Sequence, residues 1–149
     1  MKGISSLLLT LSLVTGVITS SCNLLESHDC KCAPPPKEPV TPAALSKVDT
    51  WYLNEVNSGG QLTRTNAIKD RYSIQFRTDG TYVQTLLADG TAYNGTWMLM
   101  GADNRILHLT DHKGAAQEYS VEGVSAESLF YGRLDKAGQL ESYLFKSTR

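Results

Sequence analysis

The chain has few cysteines, few prolines and no aromatic residue in its first third. Its three cysteines stop at Cys32 and its five prolines at Pro42, while the first aromatic is Trp51. No cysteine is therefore left to cross-link the region beyond Trp51, and a fold there must rest on packing alone. The formal net charge of −1 over 149 residues, with Lys and Arg scattered, offers no electrostatic footprint for nucleic acid. No Gly-x-Ser-x-Gly elbow is present, and no Gly-rich loop opens a helix. Helical periodicity never lasts beyond a turn or two.

The N-terminus carries an address. Met1-Lys2 is a minimal positive region, residues 3–18 are apolar but diluted by Ser, Thr and Gly, and Thr19-Ser20-Ser21 precede Cys22. A spanning helix needs about 20 predominantly apolar residues, so the segment reads as a secretion signal. Ending on Cys22, residues 18–22 resemble a bacterial lipoprotein signal, with Thr19 where the lipobox commonly has Leu or Val. The resemblance implies a signal peptide over 1–21, cleavage before Cys22, acyl chains (palmitate among them) on Cys22, and a lipid-anchored place in the cell envelope, at the outer membrane. An unlipidated secreted protein is the alternative.

Residues 22–44 read as a tether. Ala33-Pro34-Pro35-Pro36-Lys37-Glu38-Pro39 and Thr41-Pro42 favour extended polyproline II, a semi-rigid spacer. His28, Cys30 and Cys32 lie within five residues, but no second cysteine pair completes a closed zinc site. A strained disulfide or a bridge to a second chain is equally open, and no metal or other cofactor is assigned.

Residues 45–149 form the domain. Residues 42–48 suit one helical turn or a plug across one end. In the first strand, 51–56, Trp51, Leu53 and Glu55 share one face and Tyr52, Asn54 and Val56 the other. A turn at Asn57-Ser58-Gly59-Gly60 leads into residues 61–70, the longest unassigned connection of the domain, read as a polar loop or equally as a loop holding a short helix near 66–70. Residues 72–97 are the centre of the pattern. Tyr72, Ile74 and Phe76 alternate with Ser73, Gln75 and Arg77; Tyr93, Trp97 and Leu99 share a face around Gly95. Asp79-Gly80 and Asp89-Gly90 are hairpin signals, read as two-residue type I′ turns. Strands follow at 106–110, 117–124, 129–134 and 140–146. Eight strands, with turns roughly every 10–15 residues, predict an all-β fold: an eight-stranded up-and-down antiparallel barrel or a strongly curled meander. A barrel of that size is filled by side chains or holds one small ligand.

The early Trp51, Tyr72-x-Ile74-x-Phe76 running into Thr78-Asp79-Gly80-Thr81-Tyr82, Asn94-Gly95-Thr96-Trp97 and Leu107-x-Leu109 together resemble the lipocalin-like domain of small Gram-negative lipoproteins. The first-strand Gly-x-Trp of true lipocalins is here Asp49-Thr50-Trp51, without the glycine. The resemblance implies the barrel fold, and the role expected of it is non-catalytic binding of a small apolar or amphipathic molecule inside the barrel.

Candidate chemistry is otherwise sparse. His108-x-x-Asp111-His112 has helix-type metal spacing, but residues four apart on a strand are separated by about 13 Å, so solvated histidines are expected. Asp79, Asp89 and Asp135 are explained as turn formers, and no catalytic residue is assigned. Seven tyrosines remain. A ring that buries while its hydroxyl hydrogen-bonds suits a pocket, and Tyr72, Phe76, Tyr93, Trp97 and Tyr119 are the expected ligand contacts. The rival reading is a filled barrel acting as a protein- or glycan-interaction module, its tyrosines merely packing on strands.

Overall fold

Strand-period alternation carries the chain through nine strands in a computed structural model that describes residues 36–149. Residues 1–35, with His28, Cys22, Cys30 and Cys32, lie outside the described residues. A short helix α1 (Pro42–Ser46) is followed by β1 (Trp51–Ser58), β2 (Gln61–Arg64) and a 3₁₀ turn (Thr65–Ala67). Then come β3 (Tyr72–Phe76), β4 (Thr81–Leu86), β5 (Ala92–Met100), β6 (Ile106–Thr110), β7 (Ala116–Val124), β8 (Ser128–Leu134) and β9 (Leu140–Lys146). All pairings are antiparallel, β3 to β9 pair in sequence, and β1 closes the ring by pairing with both β3 and β9. The fold is a closed eight-stranded barrel with β2 as an extra strand.

β2 was not expected from the sequence. It forms a tight hairpin with β1, pairing Ser58 with Gln61 and Glu55 with Arg64. Residues 61–70 are polar because β2 lies outside the barrel wall, where neither face needs apolar side chains. Of the alternatives open for this stretch, the short helical one comes nearest: a 3₁₀ turn at Thr65–Ala67 precedes the buried Ile68. The face assignment of β1 also changes. A bulge between Leu53 and Glu55 shifts the register against β9, so Glu55 points outward and pairs with Arg64, while Val56 packs on the core.

The Asp-Gly hairpins differ from the type I′ expectation. Arg77 and Thr81 close a three-residue loop, with Arg77 N–H donating to Thr81 O at 2.9 Å and Gly80 N–H to Arg77 O at 3.2 Å. Only Gly80, at φ 82°, has positive φ in this loop. Asp79 stays on the ordinary side because its Oδ1 accepts the Thr81 N–H (2.9 Å) and hydroxyl (2.6 Å), a local bond that also stabilises the turn. At the second hairpin four residues separate Leu86 from Thr91, whose carbonyl accepts the Leu86 N–H at 2.9 Å.

The core divides along the barrel axis. At the end capped by α1, Leu45 and Trp51 are fully buried, and the Trp51 indole N–H donates to Leu45 O at 3.0 Å. The Trp97 indole donates to Arg77 O at 3.0 Å, and its ring meets Phe76 edge-on at 5.3 Å. Residues just before α1 join this end: Val40 is buried and its N–H donates to Asp103 O at 3.0 Å. Arg105 ties Glu38 O to Val121 O. At the other end tyrosines replace aliphatics.

Two glycines make sharp predictions. A Cβ on Gly95 would lie 2.3 Å from Thr110 O and 2.5 Å from the Tyr82 ring, which lies across this glycine from the paired strand. Gly95→Ala is expected to cost about 2 kcal/mol by overpacking, and Gly80→Val a similar amount by forcing a β-branched residue to positive φ. Both are read as a lower midpoint in chemical denaturation; unchanged midpoints would contradict the packing and turn geometry described.

Candidate ligand site

The end of the barrel away from α1 is hollow. A cavity of about 270 Å³ is lined by Tyr72, Ile74, Tyr82, Gln84, Tyr93, Leu109, Gln117, Tyr119 and Tyr131 from the strands, and by Asp111, His112 and Ala115 from the β6–β7 turn. The strand period places these side chains. Ile74 and Leu109 share their faces with buried Phe76 and Leu107, so Tyr72 on the same stretch of β3 also faces inward. Val121 and Tyr119 do the same on β7, and Leu129 and Tyr131 on β8.

Tyr131 is the hub. Its ring lies 5.0 Å from Tyr119, 5.7 Å from Tyr143 and 5.2 Å from Phe145, the last pair stacked. Beside it runs a polar chain. The Tyr119 hydroxyl donates to Gln117 Oε1 at 2.5 Å, and Arg133 donates to the same oxygen at 2.7 Å. Arg133 also binds Glu141 Oε2 through two nitrogens at 2.8 Å each, and its guanidinium sits 5.1 Å from the Tyr119 ring centre. Such an engaged arginine is a fixed wall element rather than a free charge.

The β6–β7 turn supplies the rest. Asp111 Oδ1 accepts the N–H groups of Lys113 (2.8 Å) and Ala115 (2.9 Å), and these bonds hold its carboxyl below the usual carboxylate range. His112 stacks on Tyr93 at 5.0 Å, with the planes 28° apart. His108 faces outward, 3.4 Å from Glu118. The two histidines thus have different surroundings, and only His112 reaches the cavity. Among the described residues no group of three His, Cys, Asp or Glu side chains is placed to hold a metal.

Of the residues expected at a ligand, the structure brings Tyr72, Tyr93 and Tyr119 together around this cavity. Phe76 and Trp97 lie elsewhere, in the packed end near α1. Cys22, the expected lipid acceptor, is outside the described residues. Sequence reasoning did not select Tyr82, Tyr131, Gln84, Gln117, Asp111 or His112. Tyr131 was legible in principle, since it shares strand parity with the buried Leu129, whereas Tyr82 shares parity with the polar Gln84. The turn residues gave no such signal.

The outer wall has its own hollow, about 570 Å³, across β6–β9. Ile106, Phe130, Leu134 and Leu140 line it, with Leu134 68% and Leu140 53% exposed. A smaller hollow next to it shares Phe130 and Ser142 and reaches Leu62 and Leu144.

Burial pushes the phenols of Tyr72, Tyr82, Tyr119, Tyr131 and Tyr143 above the ordinary value of 10.0. A phenol whose pKa is raised in the fold holds its proton longer than in the unfolded chain. The stability it contributes is complete below pH 10 and is lost as pH rises above it. Phenolate absorbance and far-ultraviolet circular dichroism followed together should therefore show these tyrosines ionising as the barrel unfolds. Full ionisation of all five with the barrel intact would contradict the burial.

No family model and no curated protein sequence matches the chain. Among solved structures, the barrel is similar to a lipocalin-like protein from Bacteroides uniformis. The TM-score is 0.51 at 17% identity, over 69% of this chain and 97% of the other. With all strands antiparallel, the ring closed by β1 and the interior hollow at one end, the fold is lipocalin-like.

Proposed function

We propose that this chain is a lipid-anchored lipoprotein of the bacterial cell envelope, held at the outer membrane through acylated Cys22. Its barrel binds a small amphipathic molecule without catalysing its conversion. The cavity of about 270 Å³ carries the reading. An eight-stranded barrel can be filled by its own side chains, and here one end is left open and lined by tyrosine rings, amides and a carboxylate. Rings with polar points suit a ligand with both characters better than a purely apolar one. The anchor is supported by the apolar N-terminal segment closing on Cys22. Several acyl chains, at about 0.8 kcal/mol per buried methylene, would hold the protein firmly.

A second reading has its own observation. The outer groove with exposed Phe130, Leu134 and Leu140 is larger and more apolar than the interior cavity, as a protein-interaction face would be.

Native mass spectrometry of the full chain from an envelope extract separates the two. A co-purifying small molecule is expected, lost in Tyr93→Ala and retained in Leu134→Ser. Loss in Leu134→Ser alone would move the ligand to the outer groove, and a protein partner without any small molecule would favour the interaction module. In the same cells Cys22→Ser should abolish palmitate labelling; persistent labelling would refute the anchor.

A further inference from the structure

The cavity lining contains a single carboxylate, Asp111, and no lysine or arginine. The ion pairs among the described residues are Lys37–Glu122, Arg64–Glu55, His108–Glu118 and Arg133–Glu141, and Asp111 belongs to none of them. Arg133, close to the cavity wall, has its guanidinium committed to Glu141 and Gln117. Lys113, in the same turn as Asp111, is exposed and does not line the cavity. With its two backbone N–H donors, Asp111 remains an anion at neutral pH.

Around this carboxylate the lining is aromatic: Tyr72, Tyr82, Tyr93, Tyr119 and Tyr131, with His112 stacked on Tyr93. The face of an aromatic ring is electron-rich and attracts a cation within about 6 Å of its centroid. Arg133 already covers one face of Tyr119 and His112 one face of Tyr93; the carboxylate and the remaining ring faces act with the same sign, favouring positive charge and opposing negative charge.

We propose that the cavity takes a small organic cation, with an alkylammonium group held between Asp111 and the tyrosine rings. The inference rests on reading this cavity as the ligand site, and adds the charge of the ligand to it. Ligand pockets commonly measure about 300–1,000 Å³. At about 270 Å³ the space suits a compact head group rather than a long chain. Tyr93, 36% exposed, marks the mouth through which the rest of the ligand would reach solvent.

The test uses three probes of nearly one shape on the full chain: choline, its neutral carbon analogue 3,3-dimethylbutan-1-ol, and anionic 3,3-dimethylbutanoate. Calorimetric titration should show choline binding at least about tenfold more tightly than the alcohol, with the carboxylate weakest. Asp111→Asn keeps an Oδ1 acceptor for both backbone N–H groups. It should cut choline affinity while leaving the alcohol unaffected. Tyr93→Leu, at a half-exposed position, should weaken choline selectively and carries the test if Asp111→Asn loses its fold. Equal binding of choline and alcohol, or preference for the carboxylate, would overturn the cation assignment and leave the cavity as a ligand site. Failure of all three probes to bind would overturn both.

Discussion

Everything in this molecule depends on β1 pairing with β9. That ladder, from Tyr52 opposite Lys146 to Ser58 opposite Glu141, turns a meander into a ring and so creates an inside. Without it β9 would present a free edge open to pairing with other chains, and the inward tyrosines would have no cavity to line. The bulge between Leu53 and Glu55 is part of the closure. Beyond it β1 exchanges its neighbour β3 for β2, so one strand closes the barrel and also starts a hairpin outside it.

Closure makes two unlike ends. Near α1 the interior is packed and interlocked: each buried indole donates its N–H to a backbone carbonyl, Trp51 to Leu45 and Trp97 to Arg77. A buried indole without such a partner would carry an unmet desolvation cost. At the far end, the Gln117–Arg133–Glu141 chain engages the Gln117 amide oxygen and the Tyr119 hydroxyl. What remains accessible there is Asp111, the tyrosine rings and the Tyr93–His112 pair. The rigid end holds the geometry that the hollow end offers to a ligand.

The outer wall is the second place where burial is incomplete. Phe130, Leu134 and Leu140 alternate with the inward Leu129, Tyr131, Arg133 and Glu141 on β8 and β9, and stand on the solvent side. A fold shared at 17% identity says nothing about which of these surfaces is used. That question belongs to the chemistry of each site.

Most of the barrel was legible in the sequence, because strand period and turn residues are local properties. Eight barrel strands, the inward face of Tyr72, Ile74 and Phe76, the outward turn of His108 and the position of the hairpins all follow from alternation and from Gly and Asp at the turns. β2 was not legible, since a strand outside the wall carries no apolar period. Nor was the bulge at β1, which is decided by matching β9 from the opposite end of the chain and which moves Glu55 outward and Val56 inward. The tyrosines signalled a pocket, but not which of them would share it. Phe76 and Trp97 alternate as correctly as Tyr72 and Tyr93, and only position along the barrel axis separates packed core from cavity wall. Asp111 and His112 join the cavity solely because the β6–β7 turn folds over it. Local sequence determines which side of a strand a residue occupies, whereas depth in the barrel is set by register among strands distant in sequence, and only the closed tertiary structure decides that.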